Sequence, residues 1–350
     1  MRRWEIINAV NTFFTEGLDE FSSHCEHITG HNGLDENGKL TDRYARILLT
    51  DYNIKGLHSK ILSGMLYGNE FHDHPNELET LFRCGLIDEN HELTSHGHYK
   101  AVSTLNFNNQ IAYLDLPLDE FGPIKHSGGK HRESYAKDLY SDQYDVVLYD
   151  EGKIFDFIKS CFIYASRRYL VDFGFSPTLL KKIYHRPFDF QQAVCQGILK
   201  GKWHIFERIL SVNVDLLGKD EVQKNVDIVR KSVARSIRYI DINVLFSDAK
   251  KMAFGGSVGR HEPALASLEG AFQHLGEEAI RTFIAKLFEH PTPDSRGWSD
   301  LSVFHQGQYI PIEVKGSDKL TYPQIERLYW LKNNVPEYAK NQRVSQILLC

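Results

Sequence analysis

Four polar residues near the C-terminal end have types and spacing that could do chemistry on a phosphodiester. Asp300 follows Gly297-Trp298-Ser299, Glu313 and Lys315 lie two apart in Ile312-Glu313-Val314-Lys315-Gly316, and Gln324 comes nine residues after the lysine. Leu301 and Val303 alternate with Ser302 and Phe304, His305-Gln306-Gly307-Gln308 reads as a turn, and Tyr309 to Val314 reads as a returning apolar strand. The two carboxylates are therefore expected on neighbouring strands. Residues two apart on a strand share a face, which puts Lys315 beside Glu313. Hard cations such as Mg²⁺ (or Mn²⁺) take oxygen ligands and usually sit between one or two carboxylates and substrate phosphates. Asp300 and Glu313 can supply those oxygens, and the Lys315 ammonium can position the attacking water, so the expected chemistry is metal-assisted phosphodiester hydrolysis. Taken alone, a Glu-x-Lys more often marks only a solvated strand face.

The order Gly297, Asp300-Leu301, Glu313-Val314-Lys315-Gly316, Leu320-Thr321, Gln324, then Leu328, Trp330 and Leu331 resembles the VRR-Nuc (virus-type replication-repair nuclease) branch of the PD-(D/E)xK nucleases. The resemblance covers residues 265–350 at its widest. Ser299 stands where that family usually has Pro, which alters the start of the strand and removes no ligand. The gap of about ten residues between the preceding helix and Asp300 leaves little room for the extra strand the family has there. The resemblance implies that Gln324 holds the metal's water shell or the scissile phosphate. It also implies a glutamate on the preceding helix that completes the metal site. Glu277 is preferred, because it shares a helical face with Ile280, Ile284 and Leu287, with Glu278 as second choice. Acids in a first helical turn also simply favour the helix dipole.

Elements must deliver such a site to its substrate. Residues 151–255 read as mostly helical by period: Ile154 to Tyr169, Leu179 to Tyr184, Phe188 to Leu199, His204 to Val212 and Glu221 to Ile240. On the last of these, Lys231, Arg235 and Arg238 share a face opposite an apolar stripe of Val226, Val229, Val233, Ile237 and Ile240. The basic face is either a phosphate track or a solvated surface, with Arg167-Arg168 and Lys181-Lys182 as weaker additions. Gly255-Gly256-Ser257-Val258-Gly259 reads as a linker to the C-terminal module. The loop Lys125-His126-Ser127-Gly128-Gly129-Lys130-His131-Arg132 lacks P-loop spacing, so Lys130 and Arg132 are candidates to touch a nucleic-acid backbone and otherwise belong to a flexible linker.

In the N-terminal third, Arg2 to Leu18 and Tyr44 to Tyr67 read as amphipathic helices around a polar connection. A short helix at Leu78 to Phe82, a tight turn between Leu86-Ile87 and Leu93-Thr94, and a helix from Ser95 to Leu105 resemble the end of a winged helix, within residues 55–105. Glu77, Glu79, Asp88, Glu89 and Glu92 would repel phosphate there, so a protein partner or a homodimer contact is favoured over reading a DNA sequence. His72-Asp73-His74 is expected to start a helix, with Asn76 as cap, rather than to bind a metal.

Composition agrees with a globular chain. Of 350 residues 42% are hydrophobic and 25% charged, enough for two or three domains. Residues 1–150 carry 13 Lys+Arg against 24 Asp+Glu, residues 151–250 carry 17 against 11, and residues 251–350 carry 11 against 11. The middle segment is thus the one expected to hold a polyanion. Five scattered cysteines suggest no disulfide framework, and no stretch reads as a leader or membrane span, so a cytoplasmic, reducing setting is expected. The expected architecture is multidomain: a helical, winged-helix-like domain at 1–118, a basic helical nucleic-acid-binding region at 119–255 and a VRR-Nuc-like domain at 256–350. Mostly α-helical N-terminal and middle regions would precede a C-terminal α/β PD-(D/E)xK restriction-endonuclease-like core. The expected function is a Mg²⁺- or Mn²⁺-dependent DNA endonuclease that nicks one strand per active site. The alternative is a non-catalytic nucleic-acid-binding regulator built on the same fold.

Overall fold

The computed structural model describes residues 3–125, 131–150, 153–175, 219–255, 262–289, 297–339 and 341–349. The helices expected at Leu179 to Tyr184, Phe188 to Leu199 and His204 to Val212, the Lys181-Lys182 pair, Lys130 and the glycines at 256 and 259 lie outside the described residues. The chain divides into two compact units, one of residues 1–120 with 315–329 and one of residues 121–314 with 330–350. Residues 315–329 group with the N-terminal helices.

The first unit contains α1 (Arg3–Thr15), α2 (Leu18–Thr29), α3 (Asp42–Thr50), α4 (Gly56–Met65), α5 (Pro75–Arg83), α6 (Ser95–Thr104) and α7 (Phe107–Leu114). The single helix expected over 44–67 is two, because Asp51 to Lys55 break it. Ile6, Val10, Phe13, Phe21, Leu48, Ile61 and Leu81 interlock as one buried core. The expected wing narrows to a single bridge between Ile87 and Leu93. His74 precedes α5 and Pro75 opens it, so Asn76 is not its cap. After the bridge, Thr94 caps α6 by accepting from the Gly97 N–H (3.0 Å), while its own hydroxyl donates to the Gly85 carbonyl (2.7 Å). Gly97 is required there by contact, since a Cβ would lie 1.7 Å from the Leu86 carbonyl oxygen. The segment 315–329 is tied into this unit by Gln110 of α7: its Oε1 accepts from the Leu320 N–H (2.8 Å) and its Nε2 donates to the Leu320 carbonyl (3.0 Å).

The sheet orders β1 (Leu118–Ile124), β5 (Arg343–Leu349), β4 (Gln308–Lys315), β3 (Leu301–His305) and β2 (Val146–Tyr149), in that sequence across its width. β2, β3 and β4 are antiparallel neighbours. β2 comes from about 150 residues earlier in the chain than β3, with which it pairs. Strand alternation gives the second unit two cores. Leu301, Val303, Ile310, Ile312 and Val314 face α8 (Arg132–Ser141) through Ala136 and Tyr140. Phe304 and Tyr309 face the other way, into a helical core with Phe155, Phe283 and Trp298. That helical layer comprises α9 (Lys153–Ala165), α10 (Arg167–Leu170), α11 (Lys219–Tyr239), α12 (Ile242–Gly255), α13 (Glu262–Leu275) and α14 (Glu277–Glu289). The apolar stripe Val226, Val229, Val233, Ile237 and Ile240 of α11 is buried throughout, as its spacing predicts. α13 and α14 are separated at Gly276, whose φ of 89° suits glycine. The helix after β4 is α15 (Tyr322–Asn334).

Candidate functional site

The β3–β4 register pairs Leu301 with Ile312 and Ser302 with Pro311. One step further along the same ladder places Asp300 opposite Glu313. The Asp300 carboxylate is fixed in that position, because its Oδ2 accepts from the Val314 N–H at 2.8 Å. Glu313 is 2% exposed and Asp300 half-buried. By alternation both side chains belong to the face of Ser302, Phe304 and Tyr309, the one turned away from α8. A carboxylate as buried as Glu313 is costly unless it is paired, hydrogen-bonded or coordinated.

Lys315 ends the same strand and is 6% exposed. Its Nζ donates to Gln324 Oε1 (3.2 Å) and lies 3.7 Å from Asp318. Gln324 Oε1 also accepts from the backbone N–H and the hydroxyl of Thr321, both at 2.9 Å. Thr321 and Gln324 thus make the start of a capping box for α15, in which the third helical residue reaches back to the N-cap N–H. All three groups on that amide atom are donors, and two of them, the ammonium and the backbone N–H, have no acceptor capacity, so the amide atom facing them must be the oxygen. The structure thereby gives Gln324 a role that the sequence reading lacks: it holds the lysine.

Among the described residues no three His, Cys, Asp or Glu side chains come together as a metal-holding group. Glu277 and Glu278, the expected third-ligand candidates, open α14. Both are exposed. Glu277 is committed to Arg281, accepting from its Nε (2.9 Å) and Nη2 (2.6 Å). Arg281 in turn donates to the Ile240 and Ile237 carbonyls at the end of α11. The pair is a C-terminal helix cap built across the layer. His72 of the His72-Asp73-His74 motif faces Glu70 (3.1 Å).

A third acid does lie in line with Asp300 and Glu313, and sequence reasoning missed it. β2 pairs Tyr149 with Leu301, and the Asp150 N–H donates to the Asp300 carbonyl (3.3 Å), so Asp150, Asp300 and Glu313 occupy one row across three adjacent strands. Asp150 Oδ2 accepts from the Ile154 N–H (3.0 Å) and so caps α9. Its local signal, an aspartate four residues before an apolar helical run, looks like an ordinary cap. Only the pairing of β2 with β3 reveals the row.

Of the expected nucleic-acid contacts, Lys231, Arg235 and Arg238 are exposed on α11, and Arg132 is exposed at the start of α8. Arg235 stands over the rings of Tyr169 (5.0 Å) and Phe173 (5.7 Å) and lies 3.7 Å from Asp172. Among the described residues no helix is long and apolar enough to cross a membrane.

No protein-family model matches the chain, and no curated protein matches it. Among solved structures it aligns with paFAN1 bound to 1-nt 5′ flap DNA with a gap, at 16% identity and a TM-score of 0.38. The alignment covers 100% of this chain and 57% of that one, so the chain spans little more than half the length of this structural neighbour.

Proposed function

We propose that the chain is a Mg²⁺- or Mn²⁺-dependent deoxyribonuclease, an endonuclease that nicks one strand per active site. The observation that supports this most is the pairing of Asp300 with Glu313 across β3–β4, with the Asp300 carboxylate bonded to the N–H between Glu313 and Lys315. Two carboxylate oxygens on rigid, buried strands fit a hard divalent cation, which needs only one or two protein carboxylates when substrate phosphate supplies the rest. Asp300 and Glu313 would hold the ion, which would polarise the scissile phosphate. Lys315 shares the Glu313 face of β4, and the Gln324 oxygen restrains its ammonium, so that it can orient an attacking water or take up charge developing on phosphorus oxygens. Gln324 acts on the reaction through that lysine. DNA is the proposed substrate, with one strand cut per encounter because one such constellation stands among the described residues, and site- or structure-specific cleavage is the proposed mode.

The test is supercoiled plasmid with purified protein in Mg²⁺, in Mn²⁺ and in EDTA, alongside Asp300→Ala and Lys315→Ala. Open circles that require the metal and both side chains are expected. Linear product would point to paired sites in a dimer. A Lys315→Ala variant that cuts at the wild-type rate would sink the assignment, and binding without cleavage on plasmid, branched DNA or RNA would favour a non-catalytic platform.

A further inference from the structure

A buried amide of the N-terminal unit stands at the start of a bonded path to Lys315. Gln110 of α7 has no exposed surface. Its Oε1 accepts from the Leu320 N–H (2.8 Å), and its Nε2 donates to the Leu320 carbonyl (3.0 Å) and to the Val102 carbonyl of α6 (3.1 Å). Turning the amide over would set its oxygen against two carbonyls and its NH₂ against an N–H, so its partners fix its orientation. Leu320 is itself buried, in the stretch between β4 and α15 that belongs to no strand or helix. Buried backbone groups need partners, and a glutamine side chain supplies the donor and the acceptor of a peptide group at once.

Leu320 adjoins Thr321, whose N–H and hydroxyl both donate to Gln324 Oε1, and that oxygen also accepts from Lys315 Nζ. The path therefore runs from α6 through Gln110, Leu320, Thr321 and Gln324 to the ammonium. Two more bonds seat the helix that carries Gln324 on α6: His96 Nδ1 with the Tyr322 hydroxyl (2.7 Å) and His98 Nε2 with the Tyr329 hydroxyl (2.9 Å). All these contacts lie within the first unit. A lysine ammonium rides on a flexible four-carbon stem, and a displacement of about 1 Å at a reacting centre can cost about a hundredfold in rate. Apolar packing has no direction, whereas a hydrogen bond fails outside a narrow range of distance and angle. An apolar side chain at 110 would fill the space and leave the Leu320 N–H and C=O without that register.

We infer that Gln110, seconded by His96 at Tyr322, is a positioning residue for Lys315, acting through Leu320, Thr321 and Gln324. The N-terminal helices then serve the cutting reaction itself and not only assembly. This role in catalysis rests on the nuclease reading above; the bonded path does not.

The experiment compares full-length wild type, Gln110→Met, Tyr322→Phe and Gln324→Ala, and each of the first two substitutions combined with Gln324→Ala. Nicking of supercoiled plasmid in Mg²⁺ is measured together with amide hydrogen exchange across residues 315–329. Gln110→Met should lower kcat about tenfold or more, while KM for plasmid and the Mg²⁺ concentration for half-maximal rate stay within about twofold. In the Gln324→Ala background the same substitution should change kcat by less than about twofold, because the path is already cut. A merely structural glutamine would multiply the two losses. Exchange at the Thr321 amide should quicken about tenfold in Gln110→Met. Tyr322→Phe keeps the ring and removes the hydroxyl that His96 holds. It should lower kcat severalfold with KM unchanged and add nothing to Gln324→Ala, which keeps the inference testable if Gln110→Met does not fold. Independent losses in the double variants, an unchanged kcat, or faster exchange at Leu320 with a wild-type rate at Thr321 would overturn the inference. A wild type that leaves plasmid uncut removes the nuclease reading, and the exchange comparison then decides by itself whether Gln110 holds the Thr321–Gln324 end of the path.

Discussion

Lys100 offers the sharpest test of how the N-terminal unit is held together. It is 4% exposed, and its ammonium donates to the carbonyls of Leu48 (2.7 Å), Leu49 (3.0 Å) and Tyr52 (2.6 Å), at and beyond the last turn of α3. Those carbonyls include ones that the end of a helix leaves without a partner. Lys100→Met keeps the apolar stem and removes the donors, three N–H groups on the ammonium and two on the neutral amine. Each buried carbonyl deprived of its bond costs roughly 1–3 kcal/mol, and local relaxation recovers part of the sum, so the expected loss is about 3–4 kcal/mol. The loss depends on pH with a definite sign. Burial, and then the charge of Lys319, pull the Lys100 ammonium down to about 7 from its ordinary 10.5, against a smaller opposing pull from Asp51. Between those values the unfolded chain binds the proton and the folded chain does not. The stability linked to this group is therefore fully present above 10.5 and is lost as pH falls towards about 7. Urea unfolding of wild type and variant, followed by circular dichroism at pH 6.5, 7.5 and 8.5, should show their difference widening with pH by at most about 1.4 kcal/mol per unit. A difference that stays flat with pH, or a variant within about 0.5 kcal/mol of wild type, the range of an ordinary surface change, would refute the reasoning.

Two further substitutions test single contacts. Gly97→Ala places a methyl 1.7 Å from the Leu86 carbonyl oxygen, so α6 must move off the bridge, and an unfolding free energy lower by about 3 kcal/mol is expected in the same urea assay. Asp150→Asn keeps the α9 cap, since asparagine accepts as well as aspartate, and removes one negative charge from the row that includes Asp300 and Glu313. The melting temperature should hold while the Mg²⁺ concentration for half-maximal nicking rises several-fold; an unchanged Mg²⁺ requirement would restrict Asp150 to capping.

Local period carried a good part of this protein in its sequence. The Leu301–His305 and Gln308–Lys315 hairpin, the buried stripe from Val226 to Ile240 and the helix after Thr321 follow from repeats of two and of three to four residues, which neighbours along the chain impose on one another. The opposition of Asp300 and Glu313 was legible for the same reason, because a tight turn fixes the register of a hairpin. Tertiary structure decided what periodicity cannot express, namely which partner meets each face. It gave Glu277 to Arg281 as a helix cap. It brought β2 in from about 150 residues away, so that Asp150 stands beside Asp300. The sequence marks no role for Lys100 and reads Arg167-Arg168 only as a weaker addition to a basic face. They become a buried cap and a paired clamp only because α3 and α12 present carbonyls and a carboxylate to them from 48 or more and 80 or more residues away. A side chain's own neighbours set its direction, while its charge state and role depend on groups that only the folded chain brings within a hydrogen bond's length.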